Sequence, residues 1–261
     1  MPVIFIGHGS PMNMVQDNSY TKDLVKLAGS IPRPEAILVI SAHWLTRGTL
    51  VTGSDRPETI HDFYGFPKEL YEIQYPSPGA PELAGMIAGR IPKGMVKTSL
   101  EWGLDHASYA VLRHMYPLAD IPVLEMSLDY LFDDPHPRSL DYHYKLAHEL
   151  EFMRERKILI LGSGNIVHNL GMIDFEDAGA EPYTWAVEFD KWVREKLVKA
   201  AHESLFDPGM AGEAGELSVP AVAHYLPMIY ATGLRKKGEA ITFTHEGMQN
   251  ASISMRCFRI G

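Results

Sequence analysis

The chain has 261 residues, 46% of them hydrophobic and 22% charged, enough apolar material to bury a large core. Its formal charge is -9 and no basic stripe runs along it, which excludes the usual electrostatic footprint of a nucleic-acid binder. The single cysteine, Cys257, excludes an internal disulfide and a cysteine zinc site, and fits a reducing cytosol.

No run reaches the roughly 18 apolar residues of a membrane span. The N-terminus lacks the pattern of a secretory signal. A cytoplasmic protein with no membrane partner is expected. Residues 2–6 read as a buried first strand and 20–27 as a helix. Residues 36–40 form a continuous apolar run, as in a parallel strand covered on both faces. Residues 49–52 fit a short strand. Residues 55–80, rich in Pro, Gly and aromatics, read as a long functional loop. A helix at 82–90, an extended segment at 95–98, a helix at 107–115 and a strand at 121–127 follow.

Residues 139–155 fit one amphipathic helix, with Leu140, Tyr144, Leu146, Ala147, Leu150 and Met153 near one stripe. Residues 157–161 read as a strand ending in Gly162-Ser163-Gly164. A helix over 184–201 opens on a Thr184 cap with Glu188 nearby. Residues 203–219 read as a Gly- and acid-rich loop. A helix over 221–232 follows, with Pro220 suited to its first turn. Strands at 241–244 and 253–260 close the chain. Strands alternating with helices predict an α/β fold: one three-layer domain over 1–261, with a mainly parallel sheet and helices on both faces. Ligands of such sheets bind beyond the carboxyl ends of the strands.

Twelve histidines are present, and their positions carry the functional reading. His8 follows the first strand in Gly7-His8-Gly9-Ser10-Pro11. His43 follows the second in Ser41-Ala42-His43-Trp44. His168 comes just after the strand that ends in Gly162-Ser163-Gly164. The three would converge on one sheet edge, and Gly7, Gly9, Gly162 and Gly164 would let backbone approach a ligand closely. Imidazole suits Zn, Fe, Ni and Cu. Three hydrogen-bonded structural histidines are the alternative. His224, in Val222-Ala223-His224-Tyr225, is equally a ligand or an ordinary helix-start residue. His106 precedes a helix, and Asp105 could orient a neighbouring imidazole.

The other histidines offer less. His143 and His148 lie about 140° apart around a helix and cannot chelate together. His61 shares the long loop with Asp62, Phe63, Tyr64 and Phe66. Gly162-Ser163-Gly164 lacks the further glycine of a dinucleotide fingerprint, and neither a Walker motif nor a Gly-x-Ser-x-Gly elbow occurs.

Six blocks in register carry a resemblance: Gly7-His8-Gly9-Ser10-Pro11-Met12-Asn13, Ser41-Ala42-His43-Trp44, Thr59-Ile60-His61-Asp62-Phe63, Gly103-Leu104-Asp105-His106, Gly162-Ser163-Gly164-Asn165-Ile166-Val167-His168-Asn169-Leu170 and His224-Tyr225-Leu226-Pro227. Over nearly its whole length the chain resembles the 4,5-DOPA extradiol dioxygenase group of the LigB-type, class III ring-cleaving dioxygenases. The resemblance implies one α/β domain with a single divalent metal, Fe(II) for dioxygenase activity and zinc in the purified protein. It implies His8, His43 and His224 as metal ligands. It implies His168 as catalytic acid/base or fourth ligand, and His106 as a catalytic pocket histidine. Typical LigB enzymes use two His and one Glu, whereas His224 stands at the third position here. Neighbouring members often have an acidic residue just before it, where this chain has Ala223. Three neutral ligands favour a catecholate dianion and also suit zinc.

The activity so implied is extradiol cleavage of a single-ring catechol with a short polar side chain, such as DOPA or a related catecholic acid. Its partners are that small molecule and O2. His61, Phe63, Tyr64 and His106 are expected to line the pocket. A zinc-dependent hydrolase and a non-catalytic metal-binding protein are the competing readings, since zinc has no redox chemistry and its bound water has a pKa near 7.

Overall fold

The chain runs β1 (Val3–Gly7), α1 (Ser19–Gly29), β2 (Ala36–Thr46), β3 (Thr49–Thr52), α2 (Lys68–Tyr71), α3 (Pro81–Arg90), β4 (Val96–Ser99), α4 (His106–Met115), β5 (Val123–Asp129), α5 (Leu140–His148), α6 (Glu151–Glu155), β6 (Ile158–Gly164), α7 (Thr184–Val198), α8 (Glu213–Ser218), α9 (Leu226–Gly233), β7 (Ile241–His245), β8 (Met248–Gln249), β9 (Ile253–Ser254) and β10 (Cys257–Ile260). These elements belong to a computed structural model that describes residues 1–92 and 94–261.

Eight strands form one sheet in the order β4-β3-β5-β2-β6-β1-β10-β7. The central strands β5, β2, β6 and β1 are parallel. β10 and β7 add antiparallel on one side, and β3 pairs antiparallel with β5 on the other. Successive side chains of a strand point to opposite faces, so continuous apolar runs supply two cores. Phe5, Leu38, Ile40 and Ile160 pack with Leu146 of α5, Phe189 of α7 and Tyr230 of α9. Ile4, Ile37, Val39 and Leu161 pack with Leu24 of α1 and with Tyr109 and Leu112 of α4. The result is the expected three-layer α/β architecture. Among the described residues no helix is long and apolar enough to cross a membrane.

Several elements differ from expectation. The helix over 139–155 divides into α5 and α6, because the chain tightens at the junction. Glu149 N donates to Leu146 O and Leu150 N to Ala147 O, at 3.1 and 2.9 Å, which are bonds over three residues rather than four. The rotation keeps Leu150 and Met153 fully buried. Residues 203–219 are not a plain loop but carry α8. The segment starting at 221 opens as a single tight turn, Val222–His224, before α9, whose first-turn proline is Pro227 and not Pro220. Thr184 does not cap α7; Tyr183 holds that position without a side-chain bond. The last strand breaks into β9 and β10, since Arg256 between them turns inward to Asp190, its Nε 3.0 Å from Oδ1.

His143 lies fully buried in α5, with Nδ1 3.0 Å from Tyr230 Oη. Burial lowers its pKa to about 4, with Asp129 opposing and Arg138 adding to the shift. The unfolded chain therefore binds one proton more than the folded one between pH 6.5 and 4, and stability falls as pH drops through that window. His143→Leu should be less stable at pH 7, having left the Tyr230 hydroxyl without its partner. Its melting temperature should fall less steeply between pH 6.5 and 4, as followed by circular dichroism.

Candidate metal centre

Imidazoles from five separate segments meet beyond the carboxyl ends of the central strands. His8 follows β1 directly. His43 was expected just past a strand and instead lies within β2, where the register is irregular. Pairing with β6 stops at Ser41, and pairing with β5 shifts between Ile40 and Leu45. That irregularity is anchored from below: His43 N donates to Ser41 Oγ at 3.0 Å, and Ser41 Oγ donates to Asp105 Oδ2 at 2.7 Å. His106 opens α4 behind the Asp105 cap. His168 sits four residues past β6, bridged to Ile253 of β9, and His224 ends the tight turn before α9.

Gly162 and Gly164 lie inside β6 rather than in a turn after it. Their role is to admit the chain that carries His224. A Cβ at Gly164 would lie 2.2 Å from His224 O, and one at Gly162 would lie 2.4 Å from Pro227 O. Asn165 N then donates to His224 O at 2.8 Å, locking the turn against the strand.

The nitrogens face one another. His8 Nε2 is 3.4 Å from His43 Nε2, and His224 Nε2 is 3.2 Å from His43 Nε2. Ligand atoms of His8, His43 and His106 all lie within 4.8 Å of one another. His106 completes that triple, and His224 joins the cluster through its contact with His43. The His168 ring stacks on His224 with centroids 3.5 Å apart and planes at 5°.

Proton accounting fixes the direction of three of these rings. Ser163 Oγ donates its only hydrogen to Ala107 O at 2.6 Å, so His8 Nδ1, 3.0 Å away, must be the donor in their contact. His43 Nδ1 is 3.0 Å and His106 Nδ1 2.9 Å from the same Asp62 Oδ2. Burial favours the neutral form of Asp62, but the bonds from His106 and His43 outweigh it and hold the carboxyl well below its usual range. An ionised carboxylate only accepts, so both imidazoles carry hydrogen on Nδ1 and turn Nε2 toward the cluster. Burial, then the neighbouring histidines, depresses His8 and His224 well below 6.5 and His168 to about 3. The facing Nε2 atoms of His8 and His43 can be held only with positive charge between them, a shared proton or a metal ion. A set of inward-facing imidazole nitrogens backed by Ser163 and Asp62 fits a borderline divalent cation.

Asp62 was not singled out from the sequence. Asp105, expected to orient an imidazole, is buried beneath the site instead. Burial and then the adjacent Glu125 raise its pKa. The usable signal for Asp62 was an acidic side chain inside an otherwise aromatic loop. Its neighbour His61, expected in the pocket, points the other way, donating from Nε2 to Ile73 O at 2.9 Å and packing on Tyr109. The cavity above the histidines has a volume of about 440 Å³ and is lined by Phe63, Tyr64, Phe66, Ile173 and Phe175, with His8, His43, Asp62, His106, His168 and His224 at its floor. This is the size and chemistry of a small-molecule site for a flat apolar ring.

The model of a family described as the catalytic LigB subunit of aromatic ring-opening dioxygenase matches residues 2–250. Over 264 aligned positions the chain is 40% identical to the 4,5-DOPA dioxygenase extradiol of Escherichia coli K12, a match that spans 100% of this chain and 95% of that one. It is 33% identical over 262 positions to a protein of the same name from Beta vulgaris, spanning 98% and 94%. A crystal structure of an uncharacterized protein from Escherichia coli K12 aligns at a TM-score of 0.84 with 37% identity, over 100% of both chains.

Replacing Asp62 by Asn removes the negative charge that His43 and His106 share, and with the amide oxygen in the Oδ2 place it sets an NH2 against the His106 N–H that donates to Oδ1. Asp62→Asn should weaken binding of a divalent metal about 10–100-fold, the usual effect of losing an orienting carboxylate. Titration calorimetry on the folded variant checks this, and unchanged affinity would remove Asp62 from the role.

Proposed function

The chain belongs to the LigB family of ring-opening dioxygenases, and from that membership we infer that it cleaves a catechol of the DOPA type beside its two hydroxyls, inserting both atoms of O2. The observation that carries the reading is the cluster of inward-facing imidazole nitrogens beneath an aromatic cavity of single-ring size. His8, His43 and His224 are the proposed ligands of one divalent metal. His106 shares the Asp62 carboxylate with His43, and His168 lies against His224. Bound iron(II) would supply ligation for the two catechol oxygens and for O2, together with the redox chemistry that zinc lacks.

The protein's own groups do the rest. Phe63 and Phe66 flank the ring and exclude water, with Tyr64 at the opening. His168 takes a proton from the catechol and returns it later, as an imidazole general base. Burial, then His43 and His106, holds its pKa at about 3 in the free protein. The negative charge of a bound catecholate raises the pKa again, since an opposite charge favours the protonated imidazole. His106, with Nδ1 tied to Asp62, presents Nε2 to the same cavity and steadies the substrate.

The test is anaerobic loading with Fe(II) or Zn(II), then addition of DOPA and air. The iron form should produce the yellow semialdehyde and the zinc form should not. An iron form that leaves every catechol intact while hydrolysing esters or amides would make the protein a hydrolase. His8→Ala and His224→Ala should lose nearly all their metal. His168→Ala should keep most of it yet turn over roughly 10²–10⁴-fold more slowly, measured as metal content and single-turnover rate.

A further inference from the structure

The floor of the cavity is occupied by the histidines and Asp62, so what the protein reads of a substrate beyond its ring is decided at the mouth. Two loops meet there. One brings Tyr64, 90% exposed, and the other brings Leu170 and Phe175, 54% and 72% exposed, with Glu176 beside them. These side chains stand around one opening, so a substrate side chain leaving the cavity passes between them. Among the described residues that line the cavity there is no lysine and no arginine, and Glu176 is the one charged group apart from half-buried Asp62. Glu176 forms no ion pair among the described residues; its own backbone N–H is held by Asp174 Oδ1 at 2.9 Å, which fixes the loop beneath it.

A carboxylate on a substrate side chain meets no cation at this mouth. An ammonium meets a carboxylate and two aromatic rings, groups of the kind that attract a cation. We propose that the mouth selects catechols whose side chain carries an ammonium group, with Glu176 and the Tyr64 and Phe175 rings as the selecting residues, and disfavours those that end in a carboxylate alone. This rests on the ring-opening reading above and narrows its substrate class: dopamine first, zwitterionic DOPA next, dihydroxyphenylpropionate last.

Two measurements on the whole iron-loaded protein decide it. The first is KM for the three catechols, which share a ring and differ in side-chain charge. Dopamine should have a KM about fivefold below that of the propionate, the size expected of one exposed ion pair with a cation–π contact. The ratio should shrink toward one in 0.5 M salt. Glu176→Gln should bring it within about twofold, and Glu176→Lys should reverse it. The second is binding of the uncleavable phenols tyramine and hydroxyphenylpropionate, followed by tryptophan fluorescence without turnover. Equal or tighter binding of the acid, or a preference untouched by Glu176→Gln, overturns the proposal. A protein that binds tyramine more tightly than the acid but opens no catechol leaves the selectivity standing and overturns the reaction instead.

Discussion

Lone pairs on neutral imidazoles repel, yet this protein holds Nε2 of His8 and Nε2 of His43 only 3.4 Å apart. Left free, either ring would rotate away. Each is pinned from behind: His8 by Ser163, whose hydroxyl is itself committed to Ala107 O, and His43 by Asp62. The strain of that arrangement is relieved by whatever cation the nitrogens enclose. Much of the surrounding architecture serves to keep the rings facing inward until one arrives.

The supporting devices are departures from regular structure, and they cluster at one end of the sheet. The irregular register of β2 turns His43 inward. Gly162 and Gly164 thin β6 so that the His224 turn can lie against it. β9 leaves the main sheet to bridge His168 before Arg256 and Asp190 anchor the chain's return in β10. Away from this edge the central strands are regular and buried on both faces. Regular packing is the stable background against which a few irregularities can be held in place.

Charge is managed by layers. The rings nearest the cavity are kept neutral by burial and by one another, which preserves their lone pairs. One ionised carboxylate, Asp62, sits behind two of them. Deeper still lie Asp105 and Glu125, whose pKa values burial raises and whose carboxyl oxygens accept from Ser41, Trp102 and Ser108. They hold the floor of the site in place from beneath.

The three-layer α/β architecture was legible in the sequence, because strand and helix periodicity is written by residues a few positions apart. His8 and the Gly-Ser-Gly end of β6 could be placed at the ligand-binding edge for the same reason. The identity of the orienting carboxylate was not legible. Asp105 stands next to His106 in the chain, but Asp62, 44 residues away, makes the bond. His61 and Asp62 are neighbours with opposite fates, one tied to Ile73 O outside the cavity and one inside it. The glycines of β6 read as admitting a ligand close to the backbone, and they admit instead a turn some 60 residues later. Local pattern determines which elements form, since their hydrogen bonds and buried faces are short-range. Which side chains share a proton, and which backbone must pass close to which, depends on contacts between distant segments. Those are settled only when the sheet closes and the loops at its edge compete for the same few ångströms.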